Sequence, residues 1–225
     1  MIEAVMFDLD GVLIDSEPIW ERIRRDFAES RGGTWSGEIQ RRMMGARTAD
    51  WSGALSELVG GQVSPESAAE QVIAALADEY RRRPPVIPGA ADAVRGLARD
   101  FRLGLVSGSP QVLIDLVLRL LDVQDCFEVA MSADDVARGK RHPDPYLALA
   151  ARLGVPASDC AVVEDSGNGI RSGHAAGARV IAIPRGAHQP DAATLGLAAA
   201  VLHDIRELTS AARRLRRRER VNPSR

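Results

Sequence analysis

Apolar positions along this chain follow two periods. Short, nearly continuous runs recur at VMFD near the start, FRLGLVSGS (101–109), CFEVAMS (126–132), CAVVEDS (160–166), ARVIAIP (178–184) and AAAVLHD (198–204). Runs of this kind, bounded by turn residues, suit strands buried on both faces. Between them, PQVLIDLVLRLLDV (110–123) and DPYLALAARLGV (144–155) carry apolar residues at helical spacing, with Gly154 and Gly177 where helices would close. Strands alternating with helices predict an α/β fold, a parallel sheet with helices on both faces.

The interval from Ser16 to Pro88 breaks that rhythm. EPIWERIRRDFAESR, GEIQRRMM, ADWSGALSELV and SPESAAEQVIAALADEYRRR read as helices, and no run comparable to VMFD lies among them. Gly32-Gly33 and Gly60-Gly61 punctuate the interval; Pro84-Pro85 and Pro88-Gly89 end it. The expected organisation is a catalytic core from residues 1–15 and 89–225, with a helical insertion over 16–88. Hinges fall near 15–17 and 84–88. The basic run RRLRRRER (213–220) opens a tail, 213–225, that reads as a solvated helix end rather than an RNA-binding arm.

Composition narrows the function. At 225 residues the chain can hold one ample core and a smaller inserted domain. A formal net charge of −2 provides no field that favours nucleic acid. No apolar stretch approaches a membrane span, and Glu3, Asp8 and Asp10 interrupt the only N-terminal stretch that could serve as a secretory signal. Cys126 and Cys160 have no metal-like spacing and are expected as buried thiols in a cytoplasmic protein. Lys140 is the only lysine among 29 basic residues. An ammonium is a compact charge on a flexible stem, which a planar guanidinium does not replace in a tight site.

The acids decide where to look. D-x-D-G alone fits an ordinary turn. Yet Asp8 and Asp10 follow the first strand, Ser107-Gly108-Ser109 the second, the loop of Lys140 the third, and Glu164-Asp165-Ser166 the fourth. In a parallel sheet the carboxyl ends of all strands share one edge. Four acids there would repel one another unless a hard cation joined them, and an all-oxygen set suits Mg²⁺. No Cys or His stands among these residues, which argues against zinc. Ser107 with the amides of a helix start makes an anion cradle, and Lys140 adds a charge beside it. This is the equipment of phosphoryl transfer.

DLDGVLIDSE, LVSGS, GKRHPDP and VVEDSGNGIRSGHAAG resemble, in order and spacing, the four motifs of the haloacid dehalogenase superfamily of Mg²⁺-dependent phosphotransferases. The resemblance runs from residue 5 to about 184 and is nearest to the β-phosphoglucomutase-like sugar phosphatases. It implies a Rossmann-like core with a small α-helical cap that selects the substrate. It implies Asp8 as nucleophile, Asp10 as acid and base, and Lys140 as the charge that neutralises Asp8 and the phosphate. Mg²⁺ would be held by Asp8, the backbone carbonyl of Asp10 and Asp165, with Glu164 bonding to a ligand or to the metal. Ser107 and backbone amides near Gly108 and Leu9 would grip the phosphoryl oxygens.

In the cap, Arg47, Glu17 and Trp20 are the expected substrate residues, with Trp51 as a further candidate. The mutase branch has a histidine where this chain has Trp20, which disfavours a phosphomutase. Arg141 stands where a proline usually follows the lysine, so the local shape of that loop is open. His142 is expected at the surface. A dehalogenase would need neither the metal acids nor Asp10, and a non-catalytic binding module would be expected to lack at least one of Asp8, Asp10, Lys140 or Asp165. The expected function is a Mg²⁺-dependent phosphatase acting on a small phosphorylated sugar or polyol. No nucleic acid or membrane partner is expected, and the chain would be a monomer or weak homo-oligomer.

Overall fold

A computed structural model of the chain describes residues 1–186 and 189–218. Six parallel strands form one sheet: β1 (Ala4–Phe7), β2 (Arg102–Ser107), β3 (Val129–Ser132), β4 (Cys160–Glu164), β5 (Arg179–Ala182) and β6 (Ala200–Val201). Their spatial order is β3-β2-β1-β4-β5-β6. The chain thus winds outward from β1 on one side, then returns to lay β4 on the other. β1 sits at the point where the direction reverses, the place where ligands bind in such sheets. The register pairs Phe7 with Leu105 and with Val163, so the residues just beyond each strand come together.

The four inner runs are strands because their residues are buried on both faces; β1 and β4 are buried throughout. The outer runs shorten. CFEVAMS supplies only Val129–Ser132, since Gln124–Cys126 coil into a 3₁₀ turn. AAAVLHD supplies only Ala200–Val201. Edge strands have a neighbour on one side alone, and fewer ladder bonds hold them straight. Cys160 is buried as expected, but Cys126 in that turn is only half-buried.

Helices cover the sheet: α5 (Ala90–Ala98), α6 (Gln111–Leu120), α7 (Asp144–Leu153), α8 (Gly167–Ala175), the short α9 (Ala192–Leu195) and α10 (Leu208–Arg218). Residues 213–218 of the basic run belong to α10, which buries Leu208, Ala211, Ala212 and Leu215. Its Arg213 pairs with Asp100 at 2.6 Å. The remainder, 219–225, lies outside the described residues. No helix among the described residues is long and apolar enough to cross a membrane.

Between β1 and β2 come α1 (Glu17–Glu29), α2 (Gly37–Met43), α3 (Thr48–Leu58) and α4 (Pro65–Arg82). Helices α2–α4, inserted after β1, form a cap. Ser36 and Ser64 accept from the amides of Ile39 and Ser67, which starts α2 and α4. The two chain crossings into this region bond to each other: Asp15 N donates to Pro85 O at 2.8 Å and Ile87 N to Leu13 O at 3.0 Å. The cap also meets the core directly. The amide and hydroxyl of Thr48 donate to Asp134 at 3.0 and 2.6 Å, so a core carboxylate caps the start of α3.

Candidate active site

Asp8 leaves the end of β1 with its amide bonded to Val163 O at 3.0 Å, and its side chain is buried. Lys140 reaches in from the loop before α7. Its Nζ donates to Asp8 Oδ1 at 2.5 Å and to Glu164 Oε1 at 2.9 Å. Glu164 is fully buried and accepts three more bonds, from Tyr146 OH at 2.7 Å and from the amide and hydroxyl of Ser166 at 3.2 and 3.0 Å. Asp165 completes the group: Asp8, Glu164 and Asp165 each offer an oxygen within 4.8 Å of the others.

Three acids share one lysine here, and the imbalance shows. Burial, reinforced by Glu164 and Asp10, pushes Asp8 up to about 8 against the pull of Lys140. Burial and the neighbouring Glu164 and Asp8 raise Asp165 well above the carboxylate range. Lys140 moves the other way from what burial alone would do, because Asp8 and Glu164 hold its charge. Two glycines let these acids pack so closely. A Cβ on Gly11, whose φ is +83°, would lie 1.9 Å from Asp165 Oδ2, and one on Gly169 would lie 1.8 Å from Glu164 Oε1.

Asp10 stands beside this group on a rack of hydroxyls. Ser16 donates to its Oδ1 at 2.5 Å, and Ser107 and Ser109 to its Oδ2 at 2.8 Å each. Ser107 also accepts from the Ser109 amide at 2.9 Å. So Ser107 and Asp10 are brought together, with the serine on the acid. Leu9 is buried in the core, which leaves only its backbone for a ligand. Gly108 sits under the cap, where an added Cβ would be 3.3 Å from Gly45 O.

A cavity of about 960 Å³ opens above these acids, walled on its other side by the cap. Glu17, Trp20, Arg47 and Trp51 all line it. Arg47 donates to Ala137 O at 3.0 Å and pairs with Asp50 at 3.2 Å, so it ties cap to core. Glu17 accepts from Gln40 Nε2 at 2.5 Å; burial pushes it up to about 7, with Arg24 opposing. Trp20 and Trp51 meet edge to face with centroids 5.7 Å apart. His142 is exposed, and Arg141, also exposed, leaves the Lys140 loop able to reach the acids.

The haloacid dehalogenase-like hydrolase family model matches residues 2–177. The chain belongs to this family. It is 34% identical over 226 residues to hexitol phosphatase B of Escherichia coli, covering 93% of this chain and 95% of that one. It is 32% identical over 177 residues to a phosphorylated carbohydrates phosphatase of Thermotoga maritima, covering 78% and 82%. The crystal structure of β-phosphoglucomutase from Clostridium difficile shares the fold, with a TM-score of 0.81, 21% identity and coverage of 98% and 99%. Within the haloacid dehalogenase-like hydrolases this chain is a phosphatase.

The strand-end acids of this hydrolase fit a hard cation. Their donors are all oxygen, they crowd within coordination reach, and burial followed by mutual repulsion holds Asp8 and Asp165 towards the protonated form. Sequence reasoning missed four supporting groups. Tyr146, Ser16 and Ser109 hold Glu164 or Asp10, and Arg24 lies buried in the cavity wall. Tyr146 carried a signal: a tyrosine in the apolar stripe of DPYLALAARLGV needs a partner for its hydroxyl.

Proposed function

We propose that this phosphatase is Mg²⁺-dependent and hydrolyses a small phosphorylated sugar or polyol through an aspartyl-phosphate on Asp8. The observation that carries the reading is Lys140 bridging Asp8 and Glu164 beside Asp165, with Asp10 two residues on. Asp8 is the group whose oxygen attacks phosphorus as the bond from phosphorus to the alcohol oxygen breaks. Asp10 gives the leaving oxygen its proton, then takes one from the water that attacks the aspartyl-phosphate, which frees phosphate and restores Asp8. For this Asp10 exchanges its serine partners, and Ser107 becomes free for a phosphoryl oxygen, with amides near Leu9 and Gly108. Lys140 offsets the charge gathered on Asp8 and the phosphate.

Asp8, Asp165 and the Asp10 carbonyl are the groups proposed to hold Mg²⁺. Glu164 already accepts four bonds, which is about the capacity of a carboxylate, so its part is to fix Lys140 and Ser166. When bound, the cation would draw charge from the phosphoryl group and relieve the repulsion among the acids. The core, residues 1–15 and 89–225, would carry this chemistry. The cap over 16–88, with Glu17, Trp20 and Arg47 in its wall, would choose the substrate. The matches to carbohydrate and hexitol phosphatases support that substrate class. Free cysteines and a modest net charge suit a cytoplasmic enzyme of small metabolites, monomeric or weakly associated, with no nucleic acid partner.

The test is phosphate release from hexitol phosphates, 2-deoxyglucose 6-phosphate, β-glucose 1-phosphate and phosphoglycolate, with Mg²⁺ and with EDTA. Release that needs Mg²⁺ and vanishes in Asp8→Asn is expected. Conversion of β-glucose 1-phosphate to the 6-phosphate without release would make the protein a mutase instead.

A further inference from the structure

Helix α1, packed beside the cap, brings to the cavity wall a charged group that the chemistry above does not use. Arg24 is 3% exposed. Its guanidinium carbon lies 4.3 Å from the centroid of the Trp20 ring and 5.1 Å from that of Trp51. One terminal nitrogen donates to Met43 O at 3.3 Å, while Nε has no hydrogen-bond partner among the described residues. Next to it Gln40, 4% exposed, spends its amide nitrogen on Glu17 and leaves Oε1 without a partner. Arg24, Gln40, Glu17 and both tryptophans border the same cavity.

Charge balance explains part of this arrangement, since a buried guanidinium and Glu17 favour each other's charged forms. It does not explain why polar atoms with open valences gather on one wall. Buried donors and acceptors are nearly always satisfied, and these unpaired atoms lie within residues that border the cavity, so a small turn of either side chain would offer them to a bound molecule. We propose that Arg24, Gln40 and Glu17 form a subsite for the hydroxyl groups of an uncharged polyol or sugar chain whose phosphate lies at Asp8. This deepens the phosphatase reading and rests on it.

Hydroxyls both donate and accept, and so does this wall: Glu17 accepts, Arg24 donates, and Gln40 offers an acceptor. The tryptophan faces hold the guanidinium plane in place and give apolar cover to the carbon chain. A second phosphate or a carboxylate at this end would face the Glu17 carboxylate, with Asp10 and Glu21 adding to the negative field.

The experiment compares kcat/KM for a hexitol 6-phosphate with that for hexyl phosphate, which has the same chain without hydroxyls, in the Mg²⁺-loaded enzyme. In the wild type the hexitol ester is preferred. Gln40→Leu and Arg24→Lys lower that preference about tenfold each, through KM for the hexitol ester, because a site built to bond hydroxyls loses its discrimination with its donors and acceptors. Arg24→Lys keeps a buried positive charge opposite Glu17. If Arg24 only balances that charge, the lysine variant retains the wild-type preference and the proposal is overturned. Equal losses on both esters, or a wild-type preference for phosphoglycolate over the hexitol ester, also overturn it. Absence of phosphate release from every ester by the folded wild type would instead remove the phosphatase reading beneath it.

Discussion

On the core side of the cavity, Glu164 accepts four hydrogen bonds and Lys140 bridges two carboxylates. On the cap side, Arg24 Nε, Gln40 Oε1 and Trp51 Nε1 have no partner among the described residues. The two walls are buried to a similar degree yet differ in what they lack. On the core side Glu164 and Asp10 have their polar contacts and the acids crowd as suits a cation, although Arg185 Nε there has no partner among the described residues. On the cap side Arg24 and Glu17 partly offset each other's burial, and the unpaired donors and acceptors beside them are those the proposed hydroxyl subsite would fill. On the proposed function, chemistry would draw on one face of this space and selectivity on the other.

The strongest way to break the comparison is at Lys140. Lys140→Met should reduce kcat by about 10²–10³-fold at saturating Mg²⁺, the range for removing a preorganised charge from a reacting oxyanion. A loss under about threefold would mean that the core wall does not depend on its bridge. Packing provides the next comparison. Gly169→Ala drives a Cβ into the Glu164 carboxylate and should cost about 3 kcal/mol in urea unfolding. Gly45→Ala, at a cap glycine with φ +62° and open space around it, should cost only about 1 kcal/mol. Equal costs would show that the core wall yields as easily as the cap.

The smallest effect is a pH dependence at the start of α1, on the cap side of the cavity. Glu17 has a folded value of about 7 against an ordinary 4.5, raised mainly by burial. The folded state therefore binds a proton that the unfolded chain releases between those values. That contribution to stability is complete below about 4.5 and is lost as pH rises through 7. The melting temperature of Glu17→Gln, measured relative to the wild type, should accordingly rise from pH 5 to pH 8. A flat difference would place Glu17 in a more solvated setting than the cap wall provides.

Most of the core wall was legible in the sequence because its acids and Ser107 end apolar runs. Asp8, Ser107 and Glu164 lie at strand exits, and a parallel sheet leaves them one edge to share. Lys140 was legible for another reason, as the only lysine in a chain otherwise supplied with arginine. The bracing groups were harder to read. Ser16 and Ser109 bond to Asp10 across 6 and 99 residues, and which serine meets an acid depends on the folded register. Arg24 was missed because EPIWERIRRDFAESR sets arginine at three of four successive positions, Arg22, Arg24 and Arg25, and charge alone does not tell them apart. The clue was spacing: Trp20, Ile23, Arg24, Phe27 and Ala28 form one buried stripe on α1, so Arg24 alone of the three lies on it. The edge strands were overdrawn because an apolar run does not reveal whether a second neighbour exists.

The central claim is that Asp8 becomes phosphorylated. The most direct measurement is acid quenching of the Mg²⁺-loaded enzyme during turnover of a hexitol ester carrying radiolabelled phosphate, followed by peptide mapping. Quenching within the first turnover captures the intermediate before water attacks it. Label retained on the peptide that contains Asp8, and absent from Asp8→Asn, is the predicted result. Phosphate release from the wild type with no protein-bound label at any quench time would contradict it, and would mean that water attacks the substrate directly.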